Sequence, residues 1–477
     1  MLFTEPAFLF FLLPLLCAVH WLLPLSGKNI LLLLTGLGFY WWGEKLFMVM
    51  VVSIMMNWLF GLGVGADPAR VRLRRWCLGL GIAANLTLIG IYKYADFAMD
   101  SLNAMLGWTG MAPLFDPART RIHLPIGISF FTFQGISYLL DVYWGISKRA
   151  KSPVLVGIYI SLFPHMIAGP IVKYKEIAKQ FVARTFCWED VHQGLARFVI
   201  GLGKKVIIAN GLARLPDLVF AADPAHLSTG AAWFGLVCYA LQLYFDFSGY
   251  SDMAIGLARM FGFRIPENFN YPFAARSVTD IWARWHMTLS TWLRDYVYFP
   301  LCGKRPTAAR QSTALFIVFM ICGLWHGASW NFVLWGAYNG GVLVAERGRF
   351  GAWQKTWAAP LRWIYAMLFW LLACVLFRTL DLGHAGSFLA ALAGQGSGLG
   401  VADVADRHAL LMLPVALLAA APLAPWLARR RAAAIAASPA CAWRWEAALS
   451  LWLAAVFTVA LLLCMAGAYN PFLYFQF

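Results

Sequence analysis

An ionisable side chain inside an apolar run costs a few kcal/mol at the centre of a bilayer, so each one calls for a reason. His326 stands near the middle of the apolar run from Thr313 to Val344, in Gly323-Leu324-Trp325-His326-Gly327-Ala328-Ser329. Burial keeps an imidazole neutral, the state in which it can take a proton as a general base. Gly323 and Gly327 leave room for a substrate or for a second backbone. The alternative without chemistry is a hydrogen bond between helices. A second histidine, His286, lies in Ser277 to Phe299, where helical spacing sets His286, Ser290 and Arg294 on one face and lets Asp280 pair with Arg284. That face reads either as an amphipathic helix in the membrane interface or as a substrate lining. Asp246 and Asp252 lack the acidic loop spacing of a calcium site and are expected to satisfy buried arginines or helix ends. The other histidines, His20, His192, His226, His384 and His408 near span ends and His123 and His165 beside prolines, read as structural. The nine cysteines contain no Cys-x-x-Cys pair, so no metal site is indicated.

The elements that hold these residues are membrane helices. Of 477 residues 61% are hydrophobic and 13% charged, against about 45–50% and about 25% in soluble domains, which excludes a soluble enzyme. Continuous runs such as Phe8 to Leu25 exclude the alternating pattern of a β-barrel porin. At about 20 residues per crossing, length admits roughly ten to thirteen crossings. The 38 Lys and Arg against 22 Asp and Glu give a net charge of +16, read as cytoplasmic-loop bias rather than nucleic-acid binding. Met1 to Pro6 hold Glu5 and no basic residue, so the first helix is expected to be retained.

Charge between runs sets the topology. Lys28, then the near-neutral Glu44-Lys45, then Arg70, Arg72, Arg74 and Arg75 alternate across the bilayer with the N-terminus outside. Asp96 and Asp100 fall outside, and Lys148, Arg149 and Lys151 inside. The alternation breaks after Val154 to Pro170, where Lys173, Lys175, Lys179 and Arg184 form a second basic cluster; a hairpin re-entering from the cytoplasm would explain it. Val191 to Arg214, with Arg197, Lys204 and Lys205, is a poor span, so the middle of the chain is expected to enclose a watery cavity. Residues 255–312 should face the cytosol, with aromatic helices in or below the interface. No separate soluble domain is visible.

Six blocks carry a resemblance: LPIGISFFTFQGISYLLDVYWG at 124–145, FPHMIAGPIVKYK at 163–175, QLYFDFSGYSDMAIGLARMFGFRIPENFNYPF at 242–273, WARWHMTLSTWLRDYVY at 282–298, GLWHGASWNFVLWG at 323–336 and PFLYFQF at 471–477. On these the chain resembles the membrane-bound O-acyltransferase (MBOAT) family, in its bacterial exopolysaccharide-acetylating branch. The resemblance implies an all-α polytopic fold with re-entrant and interfacial helices around a central tunnel, one domain over 1–477 with a catalytic core at about 124–345, in the bacterial inner membrane. The family's invariant histidine maps onto His326 and its second polar position onto His286, on the cytosolic side. Ala283 departs from a position expected to be basic.

Joined to the residues, the resemblance implies acetyl transfer from cytosolic acetyl-CoA, with no bound cofactor. Arg284, Arg294, Lys304 and Arg305 would hold the donor's phosphates, His326 would deprotonate the acceptor hydroxyl, and Trp325 or Asn331 would stabilise the oxyanion. The expected acceptor is a periplasmic or membrane-anchored serine-type acetyltransferase acting on alginate, cellulose or a similar polymer. A D-alanyl transferase of the teichoic-acid type and a proton-coupled transporter are the rival readings.

Overall fold

The computed structural model describes residues 3–116, 120–379, 381–438, 441–467 and 469; the terminal block at 471–477 lies outside them. The fold is helical: among the described residues the one β-type pairing is an isolated bridge between Leu227 and Leu399. By length and composition five helices among the described residues can cross a membrane, Phe47–Val64, Val71–Trp108, Ala308–His326, Ala359–Arg378 and Cys441–Met465, and a sixth if the bent pair Arg407–Ala420 and Leu423–Ala437 counts as one. Long apolar helices therefore supply only part of the crossings that length admits. Other apolar runs fold as shorter helices, and two segments turn back on themselves.

The chain forms two compact units. The first comprises Phe10–Val191 with Ala258–Pro266. Its charged residues gather as the alternation requires. At one end the Glu44 carboxylate accepts the N–H groups of Leu46 at 2.8 Å and Ile126 at 2.9 Å and meets His123 Nε2 at 2.9 Å, and Arg121 pairs with Asp100 at 2.9 Å. At the other, Arg74 donates to the carbonyls of Val64 and Tyr143, and Arg149 to that of Leu62. These charge–carbonyl contacts satisfy helix C-termini that have no intrahelical partner.

The break in alternation has a structural cause. Helix Pro153–Ser161 has nine residues, about 14 Å long, under half the hydrocarbon thickness. After Phe163–His165 the chain returns. The Tyr159 hydroxyl donates to the Val172 carbonyl at 2.9 Å, the Tyr174 hydroxyl to the Lys148 carbonyl at 3.4 Å, and the Lys175 N–H to Asp141 at 2.8 Å. The segment thus leaves and re-enters at one end, bringing the second basic cluster back to the first. Its backbone is surrounded by protein, one of the settings in which non-helical backbone is tolerated at membrane depth.

The second unit comprises Phe3–Leu9, His192–Leu257 and Glu267–Phe477. The charges that make 191–214 a poor span are neutralised within it. Arg197 lies 2.6 Å from Asp252 and from Glu267, Lys204 is 2.6 Å from Asp252, and Lys205 is 2.5 Å from Asp246. Asp252 thus satisfies an arginine, as expected, whereas Asp246 is the counter-ion of a lysine. Gly201 and Gly249 let the two helices approach this closely: a Cβ on Gly201 would sit 2.5 Å from the Gly249 carbonyl oxygen, and one on Gly249 2.8 Å from that of Gly201.

The run from Thr313 to Val344 is two antiparallel helices, Ala308–His326 and Trp330–Arg347. A Cβ on Gly336 would lie 2.6 Å from the Phe319 carbonyl oxygen, and one on Gly323 3.0 Å from the Gly336 Cα. Helix Ala359–Arg378 runs back alongside: Asn331 donates to Thr379 at 2.8 Å near one end, Tyr338 reaches the Phe369 carbonyl at 3.4 Å in the middle, and Tyr365 reaches Glu346 at 3.1 Å near the other. His326 is therefore at a hairpin tip, not halfway along one crossing. The apolar run hides the reversal because both arms are mostly apolar where they meet.

Candidate functional site

Residues 277–298 form a second reversal within the same unit. The Glu346 carboxylate accepts the N–H groups of Val278 and Thr279 at 2.8 Å, which anchors the start near the base of the three-helix bundle. Helix Val278–Trp282 then rises, and Trp282 packs on Phe319 and Trp335 with its N–H donated to Asn339 at 3.1 Å. The chain turns at His286 and descends through Met287–Leu293 to Tyr298, whose hydroxyl accepts from Arg347 at 2.9 Å. A continuous amphipathic helix is thus replaced by a re-entrant one, broken where His286 takes left-handed φ 43° and ψ 51°. The Asp280–Arg284 pair forms at 2.7 Å on the near side of the break.

His286 is fully buried. Its Nδ1 lies 3.0 Å from Asn268 Oδ1, an oxygen that also accepts from the Thr288 hydroxyl at 2.8 Å, while Asn268 Nδ2 donates to Ser251 at 3.1 Å. With the amide fixed this way, Nδ1 is the donor and the acceptor lone pair of the ring is at Nε2. Phe247 packs edge-on at 4.7 Å between centroids.

The two histidine-bearing tips meet across one indole. The Trp325 ring lies 6.0 Å from that of His286 and 4.9 Å from that of His326. His326 is half-buried and is packed by Trp335 and Phe377, each at 5.1 Å, with Phe332 stacked at 6.5 Å. The room left by Gly323 and Gly327 is taken by protein: a Cβ on Gly327 would collide with the Phe332 ring, and one on Gly323 with the Phe332 carbonyl. Close approach, not substrate space, explains these two glycines.

Below the tips lies a cavity of about 370 Å³, lined among others by Trp282, Ala283, Ser290, Arg294, Cys322 and Arg347, a size typical of small-molecule sites. Ser290 is one helical turn after His286 and Cys322 one turn before His326, so the lining stops one turn short of each imidazole. The buried Ser290 oxygen has no hydrogen-bond partner among the described residues. Arg294, paired with Asp295 at 2.9 Å, and Arg347, bonded to Tyr298 and Gln311, bring two guanidinium groups to the basal end.

Of the expected site residues, the structure gathers His286, His326 and Trp325 at the tips and Ser290 and Arg294 along the cavity. The others are placed differently. Asn331 donates its amide to the Thr379 carbonyl and hydroxyl, a strut rather than an oxyanion donor. Arg284 is engaged by Asp280 and the Asn270 carbonyl, and Lys304 and Arg305 are exposed on a turn outside the cavity lining. Asn268, Arg347, Trp335 and Phe377 are the residues that sequence reasoning missed. Asn268 and Trp335 lie inside the quoted blocks, but only the fold shows that they face the histidines.

The family model described as MBOAT, membrane-bound O-acyltransferase family, matches residues 152–380, a stretch that contains both tips and the cavity. The chain is 42% identical over 395 residues to a protein of Azotobacter vinelandii named probable alginate O-acetylase AlgI, covering 82% of this chain and 78% of that one. The protein of the same name from Pseudomonas aeruginosa is 36% identical over the full length of both. A peptidoglycan O-acetyltransferase of Helicobacter pylori is 36% identical, over 83% of this chain and 80% of its own.

Proposed function

This chain belongs to the membrane-bound O-acyltransferase family and is a multi-pass membrane O-acyltransferase; from that premise we propose that it moves acetyl groups from cytosolic acetyl-CoA to a serine-type acetyltransferase partner outside the membrane, for O-acetylation of an exopolysaccharide such as alginate. The observation that carries the reading is the meeting of His286 and His326 above a cavity whose other end holds Arg294 and Arg347. In a bacterial cell the protein resides in the inner membrane, with its basic ends in the cytosol. The catalytic core is 124–345 together with helix Ala359–Arg378, which supplies Phe377 against His326.

The donor enters from the basal end, where Arg294 and Arg347 attract its phosphates. Its narrow thioester arm fills the cavity past Ser290 toward the tips, and His286 lines the last stretch. His326 Nε2 or Nδ1 takes the acceptor's hydroxyl proton. The oxygen then bonds to the thioester carbonyl carbon, the C–S bond breaks, and the thiolate leaves with the proton returned by the imidazolium. Trp325, between the two rings, is the donor best placed for the developing oxyanion. The cofactor-free chemistry needs nothing beyond donor, acceptor and these side chains.

Purified protein in detergent, supplied with radiolabelled acetyl-CoA and the partner, tests the proposal. Label should pass to the partner and vanish in His326→Ala. Equal transfer by that variant would sink the mechanism, and transfer of D-alanyl but not acetyl groups would replace the substrate.

A further inference from the structure

The first unit holds a half-buried guanidinium whose inner edge no residue described in it satisfies. Arg184 follows the re-entrant hairpin, and its guanidinium is fixed on two sides: Nη1 donates to Asn29 Oδ1 at 2.7 Å, and the plane lies 4.4 Å from the Phe263 ring centroid. Asn29 is itself held by donation to the Phe181 carbonyl at 2.9 Å. The remaining edge, Nε with Nη2, is buried with no hydrogen-bond partner among the described residues, and Arg184 forms no ion pair there. That edge is the one a guanidinium uses to grip two oxygens of a phosphate or carboxylate.

His20 is 1% exposed, and neither of its ring nitrogens has a partner among the described residues. It lines, with Arg184, Lys28 and Gly262, a small cavity of about 50 Å³. A single water needs roughly 10–15 Å³ of such space, so the cavity has room for a tetrahedral oxyanion. No Asp or Glu is among its lining residues: of the two acids that follow Arg184 most closely in sequence, Glu189 is exposed and outside the lining, and Asp190 is engaged by Arg259 at 2.8 Å and Arg264 at 3.4 Å. Two cations and a buried imidazole around an acid-free cavity are costly unless an anion completes them.

We infer that Arg184, Lys28 and His20 form a binding site for a phosphoryl oxyanion, that of an anionic phospholipid headgroup. Arg184 grips two phosphate oxygens through Nε and Nη2, Lys28 supplies the second charge, and His20 donates one ring N–H. A lipid is favoured over dissolved phosphate by what surrounds the site. Trp21 packs against Phe186 at 5.5 Å and against Trp188 at 4.8 Å, and Trp188 is 68% exposed, the aromatic signature of a membrane–water boundary. Lys28 and Arg184 also fall on the same, basic side in the charge alternation, the side where anionic headgroups attract polybasic segments. The site shares no residue with the His286–His326 arrangement, so it stands or falls independently of acyl transfer.

The test uses the full-length protein in dodecylmaltoside. Phosphatidylglycerol should be retained at one copy per chain by native mass spectrometry and raise Tm by ~2–4 °C. Arg184→Gln should lower that retention at least tenfold. Because Arg184 also anchors Asn29, Lys28→Ala provides a variant that leaves those contacts in place and should lower retention severalfold. Retention unchanged in both variants overturns the site. A Tm rise with inorganic phosphate but no retained lipid overturns the lipid assignment.

Discussion

The two reversals that carry His286 and His326 solve the same problem in opposite ways. The His286 tip is short-armed, fully buried and hydrogen-bonded: helices of five and seven residues flank a left-handed histidine whose ring is tied to Asn268. The His326 tip closes two helices of 19 and 18 residues, and its half-buried ring is packed by Trp325, Trp335 and Phe377. Left-handed backbone at a non-glycine residue costs of order 1–3 kcal/mol and persists where surrounding contacts over-determine it. A strained, tautomer-fixed imidazole suits a fixed contact to the donor. An imidazole packed by aromatic rings above the cavity suits the proton transfer itself.

The division of labour proposed for the two histidines can be broken most directly at His326. His326→Ala should lower acetyl transfer by roughly 10²–10⁴-fold, the usual contribution of a general base, while donor KM changes little; a variant with near-normal kcat would assign the base elsewhere. His286→Ala should act on the donor, with kcat/KM for acetyl-CoA falling by roughly 10²-fold as a positioned contact is lost. Unaltered donor kinetics would remove His286 from the donor path.

Smaller effects sharpen the contrast. Asn268→Ala should reproduce the His286→Ala defect at roughly tenfold size, and the double variant should be no worse than His286→Ala alone, because the two residues act as one unit. Full additivity in that cycle would show that Asn268 only supports the fold. At the other tip Gly327→Ala forces a Cβ into Phe332 and should destabilise by about 1–3 kcal/mol, seen as a lower Tm. Gly341→Ala, on the descending arm where a Cβ meets open space, is the matched control and should leave Tm unchanged or slightly raised, because alanine is the better helix former.

Much of the architecture was legible before any coordinates. Helical membrane class followed from apolar runs, and the re-entrant hairpin from a basic cluster on the wrong side of an alternation, which the Tyr174–Lys148 contact explains. Asp246 and Asp252 were legible as counter-ions because a carboxylate near buried cations has few other uses. The cavity's charged end was only half legible. Arg294 shares a helical face with Ser290, but Arg347 comes to it from a helix more than fifty residues later, and no local period connects the two.

The sequence by itself determined what is buried and with what sign of charge each end meets water, because transfer of side chains from water is a property of composition along the chain. It also supplied the blocks by which the family is recognised. The tertiary structure alone decided that His326 is at a tip, that His286 turns, and that Asn268 holds it. Reversal inside an apolar segment leaves hydropathy unchanged; it is set by close packing at Gly323 and Gly336 and by hydrogen bonds between residues distant in sequence, and those exist only once the helices have met.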